Sequence, residues 1–325
     1  MKQCLARVVS NSEVVPGHYR LRLEASEIAN SARAGQFVHI LPRLGATSGA
    51  TYDPLLRRAF SILSCQDTTF DILFRVQGRG TAALGRCQSG DTLDILGPLG
   101  KPFFMPHIGE AQALQAGMAI SAHIKANAAP RALLVGGGVG VPPLAMLASQ
   151  INEVQASTTA TARTTATSPA GAVTALIGAR SRAEVLCLDD FARCNTPVEV
   201  ATDDGTLGTP GLVTQLLKSH LERDHRIDSE REMSGMEKVD ACGESKNSIV
   251  YACGPLPMLR AVAAICEAHA IPCQVSLEEN MPCGVGVCNG CVVRVAQADD
   301  EYGHYRRVCV DGPVMWAHEI AWETL

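Results

Sequence analysis

Over residues 1–100 the apolar positions recur in short alternating runs broken by turn residues. In Tyr19-Arg-Leu-Arg-Leu-Glu24, Tyr19, Leu21 and Leu23 share one face and the charged residues the other, the period of a half-buried strand. Similar runs predict strands at Leu5–Ser10, Gln36–Leu41, Ala59–Leu63, Thr69–Arg75 and Thr92–Leu96. Strands at this spacing suit a small antiparallel barrel, whose closure leaves few edges exposed.

After a connector over 101–131 without a strong period, the pattern changes. Ala132-Leu-Leu-Val135 is a continuous apolar run, as in a buried strand, and leads into Gly136-Gly-Gly-Val-Gly-Val-Pro-Pro-Leu144. A helical period follows through Val154, with Leu144, Leu147, Ala148 and Ile151 on one face. Further strands are predicted at Val173–Ile177, at Val198–Thr202 and from Ser248, with a short helix to His220 and another over Met258–His269. Strand, glycine turn and helix open a Rossmann-like nucleotide-binding α/β domain. The Ala/Thr-rich stretch 157–171 and the charged stretch 222–247 read as mobile, exposed insertions. Short strands at Ile271–Glu278, Val292–Val295 and Tyr305–Val310 surround a cysteine-rich loop. The expected fold class is multidomain α/β plus β: an antiparallel barrel over 1–105, the α/β domain over 106–270 and a C-terminal domain over 271–325.

Length and composition narrow the function. A chain of 325 residues suggests two or three cores. A hydrophobic content of 46% and a net charge of -5 describe a soluble globular protein without the basic face that nucleic acid requires. No signal-peptide core opens the sequence, and no apolar run reaches the roughly 18 residues of a membrane span. The thirteen cysteines are odd in number, and nine are scattered, unlike a secreted disulfide framework. A cytoplasmic location is expected.

The other four lie in Cys283-Gly-Val-Gly-Val-Cys288-Asn-Gly-Cys291 and at Cys309. The C-x4-C-x2-C spacing with a fourth cysteine downstream matches plant-type [2Fe–2S] ligation. Small residues between the ligands let the backbone wrap closely and aim N–H groups at sulfur. A four-cysteine zinc site is the alternative, though it usually shows two C-x2–4-C knuckles, and here Cys309 stands alone.

In Leu55-Leu-Arg-Arg-Ala-Phe-Ser-Ile62, Arg58 could neutralise a diphosphate, Phe60 pack on a flat ring and Ser61 bond a ring nitrogen or carbonyl. Alternate residues of a strand point the same way, so Arg58 and Phe60 would meet one ligand. Ordinary strand chemistry gives the same tripeptide. The order Arg-x-Phe-Ser, then Arg75-x4-Gly80-Thr81, then Leu96-Gly-Pro-Leu-Gly100 resembles the flavin-binding barrel of the ferredoxin reductase superfamily. The resemblance implies that Arg58, Ala59, Phe60 and Ser61, then Leu73, Phe74 and Arg75, then Gly80 and Thr81 hold FAD. The superfamily often has tyrosine where Phe60 stands, so a phenolic hydrogen bond is lost. The same superfamily has G-G-G-x-G-x-x-P at the turn carrying Gly136, Gly138 and Gly140, implying that it holds the nicotinamide nucleotide. No acidic residue ends the strand before Gly178-Ala-Arg-Ser-Arg182, so the choice between NAD and NADP stays open. Cys253, in Cys-Gly-Pro, would border the same crevice, beside a nicotinamide ring or as a packed thiol. Glu278 and Glu279 read as a solvated acidic edge; Trp316 and Trp322 suit either the tail's own packing or a partner.

The sequence of barrel, nucleotide turn, cysteine loop and Cys309-Val-Asp-Gly-Pro-Val314 closely resembles the electron-transfer subunit of NAD-linked dihydroorotate dehydrogenase. That family implies FAD and one [2Fe–2S] cluster held by Cys283, Cys288, Cys291 and Cys309. It implies NAD as electron acceptor and an FMN-containing catalytic subunit as partner, as a heterotetramer of two of each. The function so implied lies in pyrimidine biosynthesis and needs no catalytic carboxylate in this chain. A related flavin iron–sulfur subunit with a sulfide, sulfite or ferredoxin partner, or a non-catalytic redox sensor, are the alternatives.

Overall fold

A computed structural model of the protein describes residues 1–43, 53–105, 130–161, 173–233, 248–296 and 304–325. Six strands, β1 (Lys2–Val15), β2 (His18–Glu24), β3 (Phe37–Ile40), β4 (Arg58–Gln66), β5 (Thr69–Arg75) and β6 (Thr92–Leu99), close a barrel in the order β1-β2-β5-β4-β3-β6. Every pairing around it is antiparallel. The alternation on β2 sorts as expected, with Leu21 and Leu23 fully buried. Arg20 and Arg22 project from the other face onto Asp71 of β5. Two short helices, α1 (Ser26–Ala29) and α2 (Arg79–Gly85), flank the barrel strands.

The second unit is a seven-stranded sheet. It contains β7 (Arg131–Gly137), β8 (Val173–Ala179), β9 (Val198–Thr202), β10 (Thr209–Pro210), β11 (Ser248–Cys253), β12 (Cys273–Ser276) and, after the hairpin β13 (Val292–Arg294) and β14 (Tyr305–Arg307), the strand β15 (Val314–Trp316). The order is β10-β9-β8-β7-β11-β12-β15, parallel except for β15, which runs antiparallel to β12. Leu133, Leu134 and Val135 of β7 and Ile249 and Val250 of β11 have no exposed surface. A central parallel strand covered on both faces accounts for such unbroken apolar runs. The helices are α3 (Val141–Thr161), α4 (Leu188–Arg193), α5 (Val213–Met233) and α6 (Leu256–Ala268).

Three features depart from the pattern reading. Helix α3 continues through 157–161, and α5 continues through 222–233 where an exposed insertion is expected. Charge there sits on a helix, as the Lys218–Glu222 pair one turn apart illustrates. The rest of both expected insertions, and most of the 101–131 connector, lies outside the described residues. Thirdly, β12 and β15, both within 271–325, are strands of the nucleotide-type sheet, so the C-terminal segment is built onto that sheet. Buried Val275 and Met315 pair across the two strands. The indole of Trp316 is also buried and lies 6.0 Å, centroid to centroid, from the ring of Phe104, and Trp322 donates from Nε1 to the Ala317 carbonyl at 2.8 Å, so both tryptophans are engaged within this chain.

Polar contacts join the barrel, and the segment that leaves it, to the sheet unit. Gln274 of β12 donates to the Phe104 carbonyl at 2.9 Å and accepts from the Phe104 N–H at 2.9 Å. Arg20 bridges Asp71 of the barrel to Asp190 of α4, at 2.5 and 3.0 Å. Among the described residues no helix is long and apolar enough to cross a membrane.

Candidate functional site

A cleft of about 770 Å³ opens between the barrel, the carboxyl ends of the sheet strands and the segment leading to the cysteine loop. Arg58, Ala59, Phe60 and Ser61 of β4, Leu73, Phe74 and Arg75 of β5, and Thr81 of α2 all line it. Antiparallel pairing brings β4 beside β5, so residues far apart in sequence form one wall. Phe60 and Phe74 meet there with ring centroids 5.5 Å apart, an apolar surface suited to a flat ring. Gly80 lies just behind Arg58: a Cβ at Gly80 would stand 3.2 Å from Arg58 Nε. The Thr81 hydroxyl accepts from the N–H groups of Gln77 and Gly78 at 2.9 and 3.2 Å, holding the turn that brings α2 to the cleft. A cleft lined by Arg58 and Arg75 as well as by Phe60 and Phe74 fits a flavin with a diphosphate arm.

The far side of the cleft is the glycine turn. Gly136 and Gly137 end β7, and Gly138 and Gly140 bound the tight turn before α3. A Cβ on Gly140 would come within 2.4 Å of the Cys253 carbonyl carbon and oxygen and of the Gly254 nitrogen, so only glycine lets the two strand ends meet. At Gly138 the corresponding space is open. Val139 and Cys253 both line the cleft, which places the expected nucleotide turn and the expected flavin wall on one volume. Cys253 is almost fully buried; burial, with Glu278 nearby, pushes its thiol up, and Ser276 opposes this through a hydrogen bond.

The third wall is where Glu278 and Glu279 sit, Glu278 exposed and Glu279 half-buried, a solvated acidic edge that also borders the cleft. Both line the cleft, together with Asn280, Met281 and Pro282. Desolvation raises the Glu278 carboxyl above its ordinary range even though the side chain reaches solvent at the cleft mouth. A signal was available: this segment leaves the carboxyl end of β12, where parallel sheets place their ligands.

Beyond Pro282 the chain enters the cysteine loop. Cys291 and Cys309 are buried, Cys283 is half-buried and Cys288 is exposed. Backbone N–H groups reach three of the sulfurs: Val285 to Cys283 at 3.4 Å, Gly290 to Cys288 at 3.4 Å, and Cys309 to Cys291 at 3.5 Å. Such donors favour the thiolate, the ligand form. Desolvation raises Cys283, but hydrogen bonds from Val285 and Cys288 outweigh it and draw its thiol down to about 6. Desolvation together with the adjacent Cys291 sulfur pushes Cys309 up to about 12. Cys288 neighbours Cys283, Cys291 neighbours Cys309, and Cys283 also acts on Cys309, so the four thiols form one neighbourhood. No three metal-ligating side chains converge on one point among the described residues. Four thiols in one loop region, with backbone N–H donors aimed at sulfur, fit the ligand set of a two-iron cluster.

The sequence model of the iron–sulfur cluster binding domain of dihydroorotate dehydrogenase B matches residues 278–321. Over nearly its whole length the chain also aligns with proteins named dihydroorotate dehydrogenase B (NAD(+)), electron transfer subunit. The protein from Desulforamulus reducens is 31% identical over 320 residues, 98% of each chain. Those from Bacillus caldolyticus and Geobacillus kaustophilus are 35% identical over 316 residues, 96% of each chain. The chain belongs to this family of electron transfer subunits. Solved structures extend the likeness in fold. The NADH-dependent reduced ferredoxin-NADP oxidoreductase superposes with a TM-score of 0.69 at 24% identity, covering 99% of this chain and 91% of the other. The ferredoxin reductase of carbazole 1,9a-dioxygenase gives 0.54 at 18% identity, covering 83% and 67%. As a member of the electron transfer subunit family, the chain carries its matched iron–sulfur segment from the cleft wall at Glu278 through the four cysteines to Ala321.

Proposed function

We propose that this protein is the electron-transfer component of an NAD-linked dihydroorotate dehydrogenase, acting in the cytoplasm in pyrimidine biosynthesis with a separate FMN-containing catalytic subunit, two copies of each per assembly. The observation that carries this reading is the single cleft that Phe60, Val139, Cys253 and Glu278–Pro282 share, which puts a flavin wall, a nucleotide turn and the stem of the cysteine loop in contact.

The chain's own residues divide the work by position. Arg58 and Arg75 stand where they would neutralise a diphosphate, and Phe60 and Phe74 offer the apolar wall for the ring. Ser61 lines the same wall with a hydroxyl free to bond a ring heteroatom, and Thr81 shapes the turn beside it. Gly138, open on its Cβ side, would let a dinucleotide approach the backbone at the carboxyl end of β7, while Gly136 and Gly140 close the turn against its neighbours, and Cys253 lines the same crevice. Cys283, Cys288, Cys291 and Cys309 are the four ligands of the cluster. When bound, FAD interconverts hydride and single-electron transfer, and the [2Fe–2S] cluster carries one electron at a time between it and the partner. Cys288 and Val287 reach the surface, so the cluster loop faces outward while its stem enters the cleft. Burial at Cys291 and Cys309 keeps water from these two thiols.

The test is co-expression with an FMN-containing dihydroorotate dehydrogenase subunit, followed by an assay of orotate formation coupled to NAD+ reduction. Co-purification with coupled turnover is expected. A chain that binds no such subunit, or a complex that forms orotate without reducing NAD+, would contradict the reading.

A further inference from the structure

One barrel side chain outside the cleft reaches the cysteine loop. His39 sits on β3 with no exposed surface, and its Nε2 lies 2.9 Å from the carbonyl oxygen of Met281. A carbonyl only accepts, so Nε2 carries the proton. Nδ1 has no hydrogen-bond partner among the described residues. It lies against Gly284, where a Cβ would stand 2.6 Å from Nδ1 and 3.0 Å from Cε1. Gly284 has a φ of +70° and follows Cys283 directly, so the ring touches the loop where only glycine fits. In register, His39 pairs with Ala59 of β4, whose neighbours Arg58 and Phe60 line the cleft. The backbone of His39 is itself held, since Arg57 donates to its carbonyl at 3.2 Å and to the Asp94 carbonyl and carboxylate at 2.9 and 2.6 Å. A rigid barrel strand therefore contacts the cofactor wall across one ladder and the cysteine loop through one imidazole.

We propose that His39 is a positioning residue of the electron path: its hydrogen bond to Met281 and its ring against Gly284 set the cysteine loop relative to the flavin wall. The proposal rests on the electron-transfer reading above. A merely space-filling histidine would be replaced without loss by an apolar residue of similar volume. A positioning one would not, because Met281 would lose its donor and the loop stem its fixed distance from β3. Outer partners of metal ligands typically matter by about ten-fold or more in function.

The experiment compares wild type, His39→Leu and His39→Gln in the complete chain with FAD and cluster loaded. Glutamine retains an N–H able to reach Met281; leucine keeps bulk alone. Stopped-flow mixing with NADH reads flavin bleaching and cluster reduction separately, and EPR of dithionite-reduced protein reads the cluster surroundings without NADH. His39→Leu is expected to keep the rate of flavin bleaching, to slow cluster reduction about ten-fold and to shift the EPR line, with His39→Gln returning most of both. Gly284→Ala, which drives a methyl into the imidazole, is expected to slow the same step and serves if His39→Leu does not fold. An unchanged EPR line and an unchanged cluster-reduction rate in His39→Leu would overturn the proposal, as would equal loss in leucine and glutamine variants. Because dithionite reduces the cluster directly, the EPR comparison judges His39 even if NADH fails to reduce wild type, an outcome that would sink the functional reading instead.

Discussion

Gly140 and Cys253 touch through their backbones, so closely that a single methyl on Gly140 would overlap the Cys253 carbonyl at 2.4 Å. Backbone at that distance has no rotamer to yield, so Gly140→Ala must push the glycine turn away from the end of β11. Overpacking of this kind costs about 2 kcal/mol. The expected outcome is an increase of about ten-fold or more in the KM for NADH. Flavin content, read from visible absorbance, should stay at the wild-type level because β4 and β5 are untouched.

Arg58 and Arg75 differ in prediction from the aromatic wall. Replacing Arg58 by Ala removes a charge at the cleft and should cost about 2 kcal/mol of FAD binding, a roughly 30-fold weaker Kd. Fluorescence titration of the flavin-depleted chain with FAD reads this. Phe60→Leu keeps an apolar wall and should weaken FAD binding by a smaller factor than Arg58→Ala.

Asp71 is a buried carboxylate, 1% exposed, that accepts from both Arg20 and Arg22. Burial alone would raise its pKa, but the hydrogen bonds and charges of Arg22 and Arg20 outweigh it and hold the carboxyl below the ordinary range. Its unfolded pKa is about 3.9, so the stabilisation is complete above roughly pH 5 and is lost as pH falls through the lower folded value. Asp71→Asn leaves two arginines around an uncharged amide and should destabilise by about 3 kcal/mol at pH 7. Urea denaturation between pH 7 and pH 3 should show the gap between wild type and variant narrowing only at the acid end.

Cys288→Ala removes the exposed thiol and should abolish the visible cluster spectrum and most bound iron. Flavin absorbance should persist, because the flavin wall shares no residue with the loop. Iron and acid-labile sulfide assays check this; full retention of both would contradict the ligand assignment.

The legible parts of the sequence were those whose physics is local. Alternation on Tyr19–Glu24 marks a barrel strand, and the unbroken apolar run before Gly136 marks a central parallel strand. The flavin-wall residues are legible because their order along β4 and β5 carries a family pattern, and all but Gly80 line the observed cleft. What the sequence hides is long-range. Glu278 and Glu279 are solvated acids as the sequence suggests, but only β12 shows that they border the cleft. The same strand takes the C-terminal segment into the nucleotide-type sheet, a pairing with β11 and β15 that no local period encodes. His39 is invisible for the same reason: a lone histidine on a strand gains meaning only from Met281 and Gly284, more than 200 residues away.

The central claim is that one chain joins nicotinamide, flavin and cluster in a single electron path. Anaerobic titration of the isolated, loaded protein with NADH tests it most directly. The account predicts bleaching of the flavin together with the EPR signal of a reduced [2Fe–2S] cluster, without any partner present. Bleached flavin beside a cluster that stays oxidised, when dithionite reduces that cluster readily, would contradict it.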